Sequence, residues 1–254
     1  MKRVKLFLRQ NYGYGPLIGL LLAVGGVEAG YHAHPYWLTL MVGVGTSLLA
    51  ASLVAFLSPA NDEMYQKFLA LGIRDMWPSR RDVPPGNWTD WLGRASKHCT
   101  LLGVAHGEWR NDERFEPALR QCLVREEVQV HIFFLDPNGG LAAARAREEQ
   151  RDTPATIRNS IRIIWTLRPR LGPGSERLHL YVYDSTPSSG ATWIDDFMIV
   201  THYLAGYPNR TSPAFRVQDL GQDSLFGVFK MNIEKIREKP STVEITEENV
   251  ARYI

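Results

Sequence analysis

The chain is poor in cysteine, with two thiols in 254 residues, and Cys99 and Cys122 match no metal-ligand spacing. A disulfide framework is excluded, and both are expected as buried, reduced thiols. A basic excess is also missing. The formal net charge is +2, and residues 1–60 hold Lys2, Arg3, Lys5 and Arg9 against Glu28 alone, so the remaining 25 basic and 26 acidic residues nearly cancel. A protein that clamps many nucleic-acid phosphates carries a clear surplus of cations, so no large nucleic-acid interface is expected. Walker, dinucleotide, zinc-protease and nucleophile-elbow motifs are absent, as are internal repeats and low-complexity tracts.

Long apolar runs are present at one end only. Between Gly13 and Tyr31 the single charge is Glu28, and Tyr36 to Leu57 carries none. Each run reaches the roughly 20 residues that a helix needs to cross a bilayer. A signal peptide would account for the first run but not for a second one directly after His32-Ala33-His34-Pro35. The pattern predicts two spanning helices over 13–58, with the basic residues 1–12 in the cytoplasm and everything after Pro59 returned there by the positive-inside rule. Gly15, Gly19, Gly26 and Gly30 allow close helix approach, within the hairpin or between copies of it, and Glu28 lies near the outer end.

After Pro59 the pattern becomes that of a folded domain. Residues 59–85 form a connector that starts with an amphipathic helix, Asp62 to Ile73, and continues through the proline-punctuated stretch Trp77 to Pro85. Residues 86–238 alternate helical and strand periodicities, and 239–254 read as a charged tail able to form one short helix. Helices are expected over Asn87–His98, Asp112–Arg125, Leu141–Gln150, Ala155–Leu167 and Asp223–Arg237, and strands over Thr100–Ala105, Val128–Leu135, Leu178–Tyr183 and Thr192–Thr201. The fold class is therefore α/β: two N-terminal transmembrane helices followed by one cytoplasmic α/β sandwich domain around a mainly parallel or mixed sheet.

The stretches Leu102-Gly103-Val104-Ala105-His106-Gly107, Val128-Gln129-Val130-His131-Ile132-Phe133-Phe134-Leu135-Asp136-Pro137, Ile157-Arg158-Asn159-Ser160-Ile161 and Leu178-His179-Leu180-Tyr181-Val182-Tyr183-Asp184 occur in that order. They are followed by Trp193-Ile194-Asp195-Asp196-Phe197-Met198-Ile199-Val200. Over roughly residues 74–236 this order resembles a single phospholipase D-like domain. The resemblance implies a phosphodiesterase site built from two copies of a His-x-Lys-x-x-x-x-Asp motif, the histidine attacking phosphorus and the lysine holding the charged oxygens. This chain departs from that pattern. Setting Asp196 at the aspartate places Ser189 and Ala191 at the histidine and lysine, Asp195 places Ser188 and Gly190 there, and no histidine has a lysine two residues on. Without the base or the cation, the motif's chemistry is missing. The resemblance thus implies a degenerate phospholipase D-like domain on a two-helix anchor, with no catalytic, metal or cofactor residue assigned.

In an α/β sheet, ligands gather at the carboxyl ends of the strands. If the strands run parallel, His106, Glu108, Asp136, Asn138, Asp184, Ser188, Ser189 and His202 collect there. Arg80, Arg81 and Arg158 with Asn159 are candidate phosphate contacts, because a guanidinium fork matches phosphate oxygens. His131 and His179 alternate with apolar residues and read as sheet packing, and Asp195 or Asp196 as a hydrogen-bonding residue within the sheet. The expected function is a membrane-anchored sensor that binds a cytoplasmic phosphate-bearing ligand and acts by shifting association between copies. By analogy, a nucleotide signal driving a bacterial immune membrane effector fits that scheme. The alternatives are a divergent phosphodiesterase or nuclease using His106 or His202 across a homodimer, and a membrane scaffold for a protein partner.

Overall fold

The computed structural model describes residues 63–186, 188–204 and 209–254. The chain divides into two compact units, Met1–Phe68 and Leu69–Ile254. The expected spanning hairpin over 13–58, with Glu28 and the glycine spacing, lies outside the described residues. Among the described residues no helix is long and apolar enough to cross a membrane.

The second unit is built on one eight-stranded mixed sheet. Its strands are β1 (Ile73–Trp77), β2 (His98–Leu102), β3 (Gln129–Leu135), β4 (Leu178–Tyr183), β5 (Ser189–Ile194), β6 (Phe197–His202), β7 (Ala214–Gln218) and β8 (Thr242–Glu244), in the spatial order β1-β7-β6-β5-β2-β3-β4-β8. Only β2, β3 and β4 run parallel, and every other pairing is antiparallel. The central strands carry near-continuous apolar runs because helices cover both faces, as a parallel centre demands. Six helices connect the strands: α1 (Pro85–Arg94), α2 (Gly107–Arg110), α3 (Phe115–Leu123), α4 (Gly140–Glu149), α5 (Thr153–Leu167) and α6 (Leu225–Arg237). Two start on side-chain caps, Asp152 accepting from Ala155 N at 2.9 Å and Ser224 from Gly227 N at 3.2 Å.

Side chains alternate across the sheet, so each strand feeds two layers. Cys99, Leu101, Val130, Ile132, Leu180 and Ile194 are buried on the face that meets α1, where Trp91 packs edge-on against Phe197 at 5.5 Å. His98, His131, His179 and Trp193 occupy the opposite face, where Phe226 of α6 meets Trp193 edge-on at 5.7 Å. Both cysteines are free and fully buried.

Several expectations need correction. The single strand over Thr192–Thr201 is a hairpin, β5 and β6, turning at Asp195-Asp196 with Asp195 at φ 47°, a left-handed conformation aspartate tolerates. The Asp195 carboxylate accepts from Ser96 N at 2.9 Å, Lys97 N at 2.8 Å and His98 N at 2.9 Å. Burial pushes its pKa up, but the backbone donors of His98, Ser96 and Lys97 outweigh that and hold it below the usual carboxylate range. The helix expected through Ile73 ends at residue 70, and Ile73 begins β1. The helix expected through His98 ends at Arg94, because His98 is already paired with Gln129 in the sheet. Residues 239–254 hold β8, paired to β4, and a turn of 3-10 helix at Val250–Arg252 in place of a helical tail.

Candidate functional site

Strand direction brings many chain ends to one rim. β2, β3 and β4 end there, and because β5 is antiparallel to β2 (Leu102 opposite Ala191), its first residues lie at the same rim. The pairings Ser189 with His202, Thr201 with Ala214 and Trp77 with Ala214 add the end of β6, the start of β7 and the end of β1. The sequence gathers these residues at one rim only if the strands run parallel; in the mixed sheet, antiparallel reversals populate most of it.

On this rim opens a cleft of about 480 Å³, lined among others by Arg80, Arg81, His106, Glu108, Arg151 and Arg210. One wall consists of two 3-10 turns, Arg80–Asp82 and Asn209–Thr211. They are tied together by Arg80 N donating to Ser212 O and Ser79 Oγ donating to Arg210 O, both at 2.8 Å. The lining also takes in the loop after β2 with α2, together with the end of α4 and the start of α5.

Two of the four arginines are already engaged. Arg80 pairs with Glu108 and places its guanidinium 5.0 Å from the Trp88 ring centre. Arg151 pairs with Glu149, a carboxylate 3% exposed that also binds Arg145 Nε at 2.7 Å. Arg145 in turn lies over the Tyr203 ring at 5.2 Å, and the Tyr203 hydroxyl accepts from Val104 N at 3.1 Å. Burial pushes the Tyr203 phenol up to about 12. Arg81 and Arg210 carry no carboxylate partner among the described residues. The lining therefore sets four arginines against Glu108, Asp112 and Glu149.

His106 sits at φ 48° after β2 and is 6% exposed. Its Nε2 is 3.0 Å from Phe133 O, its ring meets Phe134 edge-on at 5.1 Å, and a side chain at Gly103 would strike it at 2.8 Å. Burial lowers its pKa, with Glu108 and the Phe133 carbonyl opposing. The ring lines the cleft but is buried, held by the Phe133 carbonyl and Phe134.

Of the sequence-predicted residues, Arg80, Arg81, His106 and Glu108 meet at the cleft. Asp136, Asn138 and Arg158 form a separate brace: Asp136 Oδ1 accepts from Asn138 N at 2.8 Å, Asn138 Oδ1 from Arg158 Nη2 at 2.7 Å, and Asn138 Nδ2 donates to Arg252 O at 3.1 Å. Arg158 is thus spent on holding the β3–α4 loop and the C-terminal turn. Asn159 is exposed on α5 outside the cleft. Ser189 and His202 are direct cross-strand partners, but alternation turns both to the α6 face, where Phe215 and Phe229 lie 6.0 and 6.1 Å from the His202 ring.

Sequence reasoning missed Glu149, Arg151, Tyr203 and Arg210. The Glu-Gln-Arg stretch before the Asp152 cap marks a helix end, and Gln150 at φ 51° turns Arg151 back toward the rim. Arg210 reaches the cleft through contacts with a turn 130 residues earlier, which carries no local signal.

No family model matches the chain, and no curated protein does. Among solved structures, similarity extends to TrmBL2, an archaeal chromatin protein whose structure shows a novel mode of DNA binding; it is 15% identical, 82% of this chain and 70% of that one are covered, and the TM-score is 0.39. The phosphatidylserine synthase of Haemophilus influenzae Rd KW20 is 13% identical over 67% of this chain and 39% of that one, with a TM-score of 0.40.

Proposed function

We propose that the chain is a membrane-anchored binding protein of phospholipase D-like fold, whose rim cleft takes a small phosphate-bearing ligand. The observation that carries this reading is the lining: four arginines converge on one concave site while its histidine is buried against a backbone carbonyl. Guanidinium forks recognise phosphate oxygens, and the burial of His106 against the Phe133 carbonyl favours binding over cleavage. The parallel β2–β3–β4 centre and the quoted sequence stretches support the phospholipase D-like assignment, and the two apolar runs support the anchor.

Ligand binding can act on the membrane only if it favours one association state of the hairpins over another. Native mass spectrometry of the full chain in mild detergent tests the proposal. The expected result is a co-purifying phosphorus-containing species of small mass, lost in the Arg81→Ala/Arg210→Ala double variant. Turnover of a phosphodiester by the wild type, abolished in His106→Ala, would refute the binding-only reading.

A further inference from the structure

The rim opposite the cleft exposes apolar side chains that neither the fold nor the cleft uses. Resting on the membrane-anchored reading above, we infer that one corner of this rim docks on the lipid surface. The corner is formed by the start of β1, the end of β7 and the first half of α6, and it makes the contact through Leu71, Leu220, Val228 and Met231.

Backbone bonds build the corner. Ile73 pairs with Val217, Gln218 N donates to Gly72 O at 2.8 Å, and Leu225 N donates to Leu71 O at 3.2 Å, so the first residues of the domain, the end of β7 and the start of α6 meet in one place. The other ends of the same two strands, Trp77 and Ala214, lie on the cleft rim, so docking here leaves the cleft open to solution. At the corner Leu71 is 44% exposed, Leu220 48%, Val228 52% and Met231 47%. Along α6, Phe226, Ile233 and Ile236 are buried, whereas Val228 and Met231, three residues apart, share the outer face. A helix lying on a sheet ordinarily keeps polar residues outside, so neighbouring apolar residues there, continued by Leu71 and Leu220, mark a contact surface.

The length of the tether says what covers it. The second apolar run ends at Leu57, and only residues 58–70 separate it from Leu71. Residues 63–70 are helical, and a helical rise of 1.5 Å with extended steps elsewhere limits the reach to about 35 Å. A bilayer that holds the run is therefore always within reach of this corner, at a higher effective concentration than a second copy or a soluble partner. Charge then selects the lipid. Lys235 on α6, and Asp219 and Asp223 in the loop between β7 and α6, are exposed around the patch. Their charges oppose one another, so the contact rests on apolar insertion into a zwitterionic bilayer rather than on attraction to anionic headgroups.

Fluorescence quenching in the full chain tests the contact. Leu220→Cys, Val228→Cys and Val243→Cys are each labelled with bimane, Cys99 and Cys122 being buried, and reconstituted into phosphatidylcholine vesicles that contain a doxyl-labelled lipid. Val243, 39% exposed on β8 at the far edge of the sheet, is the control. Quenching at Leu220→Cys and Val228→Cys is expected to exceed that at Val243→Cys about twofold or more, and to stay the same when phosphatidylglycerol is added. With the label moved to Met231→Cys, the added substitutions Leu71→Asp/Leu220→Asp/Val228→Asp should reduce quenching to the Val243→Cys level. Alkaline carbonate extraction keeps the two readings apart. A chain released from the vesicles overturns the anchor and the docking together, whereas a chain that stays with the membrane and shows equal quenching at all three positions overturns the docking alone. Cross-linking between copies at Leu220→Cys without quenching would give the corner to a second copy and overturn it as well.

Discussion

Lowering the pH from 7.5 to 5 should remove about 4 kcal/mol of stability through two histidines on the face of the sheet opposite the α1 layer. His98, His131 and His179 stand on the three parallel strands; His131 is stacked on His179 at 5.1 Å and lies 6.0 Å from His98. His98 is bonded to Thr100 Oγ1 at 2.8 Å and packs on Trp193 at 3.8 Å, and His179 reaches Glu244 Oε1 at 2.7 Å and Gln129 Oε1 at 2.9 Å. Burial, reinforced by Arg237, pushes His131 down to about 3. Burial likewise pushes His98 down to about 4, against the pull of Asp195. The unfolded chain protonates these rings near pH 6.5 while the folded chain keeps them neutral, so the unfolded state binds more protons and stability falls as pH drops below 6.5. At pH 5 each ring withdraws about 2 kcal/mol relative to pH 7.5, giving about 4 for the pair. That is a large part of an ordinary domain's stability. Urea unfolding followed by tryptophan fluorescence at four pH values measures the loss, since every tryptophan except Trp37 lies at or beyond residue 77. His131→Gln should reduce the acid loss by about 2 kcal/mol, whatever it costs at neutral pH. Stability flat between pH 7.5 and 5, or an acid loss unchanged in His131→Gln, would refute the reasoning.

Other substitutions probe separate parts of the fold. Asp195→Ala leaves three backbone donors without their carboxylate at a left-handed position and should cost about 3 kcal/mol or more, whereas Asp195→Asn, which tolerates that conformation, should cost about half as much; denaturant midpoints compare them. Gly227→Ala would set a methyl 2.4 Å from Gln222 O, and overpacking of about 1–3 kcal/mol should lower Tm by about 2–12 °C in a calorimetric scan. Leu101→Ala, at a fully buried position in the central strand, should cost about 2–5 kcal/mol by the same midpoint assay.

The central strands and long helices were legible because their burial is periodic: Leu178–Tyr183 was read to the residue, and Ala155–Leu167 and Asp223–Arg237 fell within two residues of α5 and α6 at one end and on the mark at the other. β1 was not, since an edge strand with Arg74, Asp75 and Met76 exposed has no alternation to detect. The hairpin at Asp195-Asp196 had a polar two-residue break, but the apolar residues on both sides masked it as one run. The site was half legible. Of the residues expected at strand ends, His106 and Glu108 line the cleft beside the connector arginines Arg80 and Arg81, whereas Ser189 and His202 face the far side because a pleat alternates and a sequence does not display which face a ligand uses. Arg158 satisfied the chemistry of a phosphate contact but is engaged by Asn138, a partner 20 residues away.

The pairing of Trp77 with Ala214 means that the cleft is made late. β2, β3 and β4 can assemble from successive crossover units, and Arg80 can meet Glu108 and Trp88 early, but the backbone partner of the Arg80 turn arrives only when the stretch through Ser212 has left the ribosome, some 130 residues afterwards. Contacts so distant along the chain form only after their loop entropy is met. A nascent chain halted before residue 209 would therefore carry Arg80 and Arg81 without the Asn209–Thr211 turn, so the cleft wall is completed only once synthesis has passed that point.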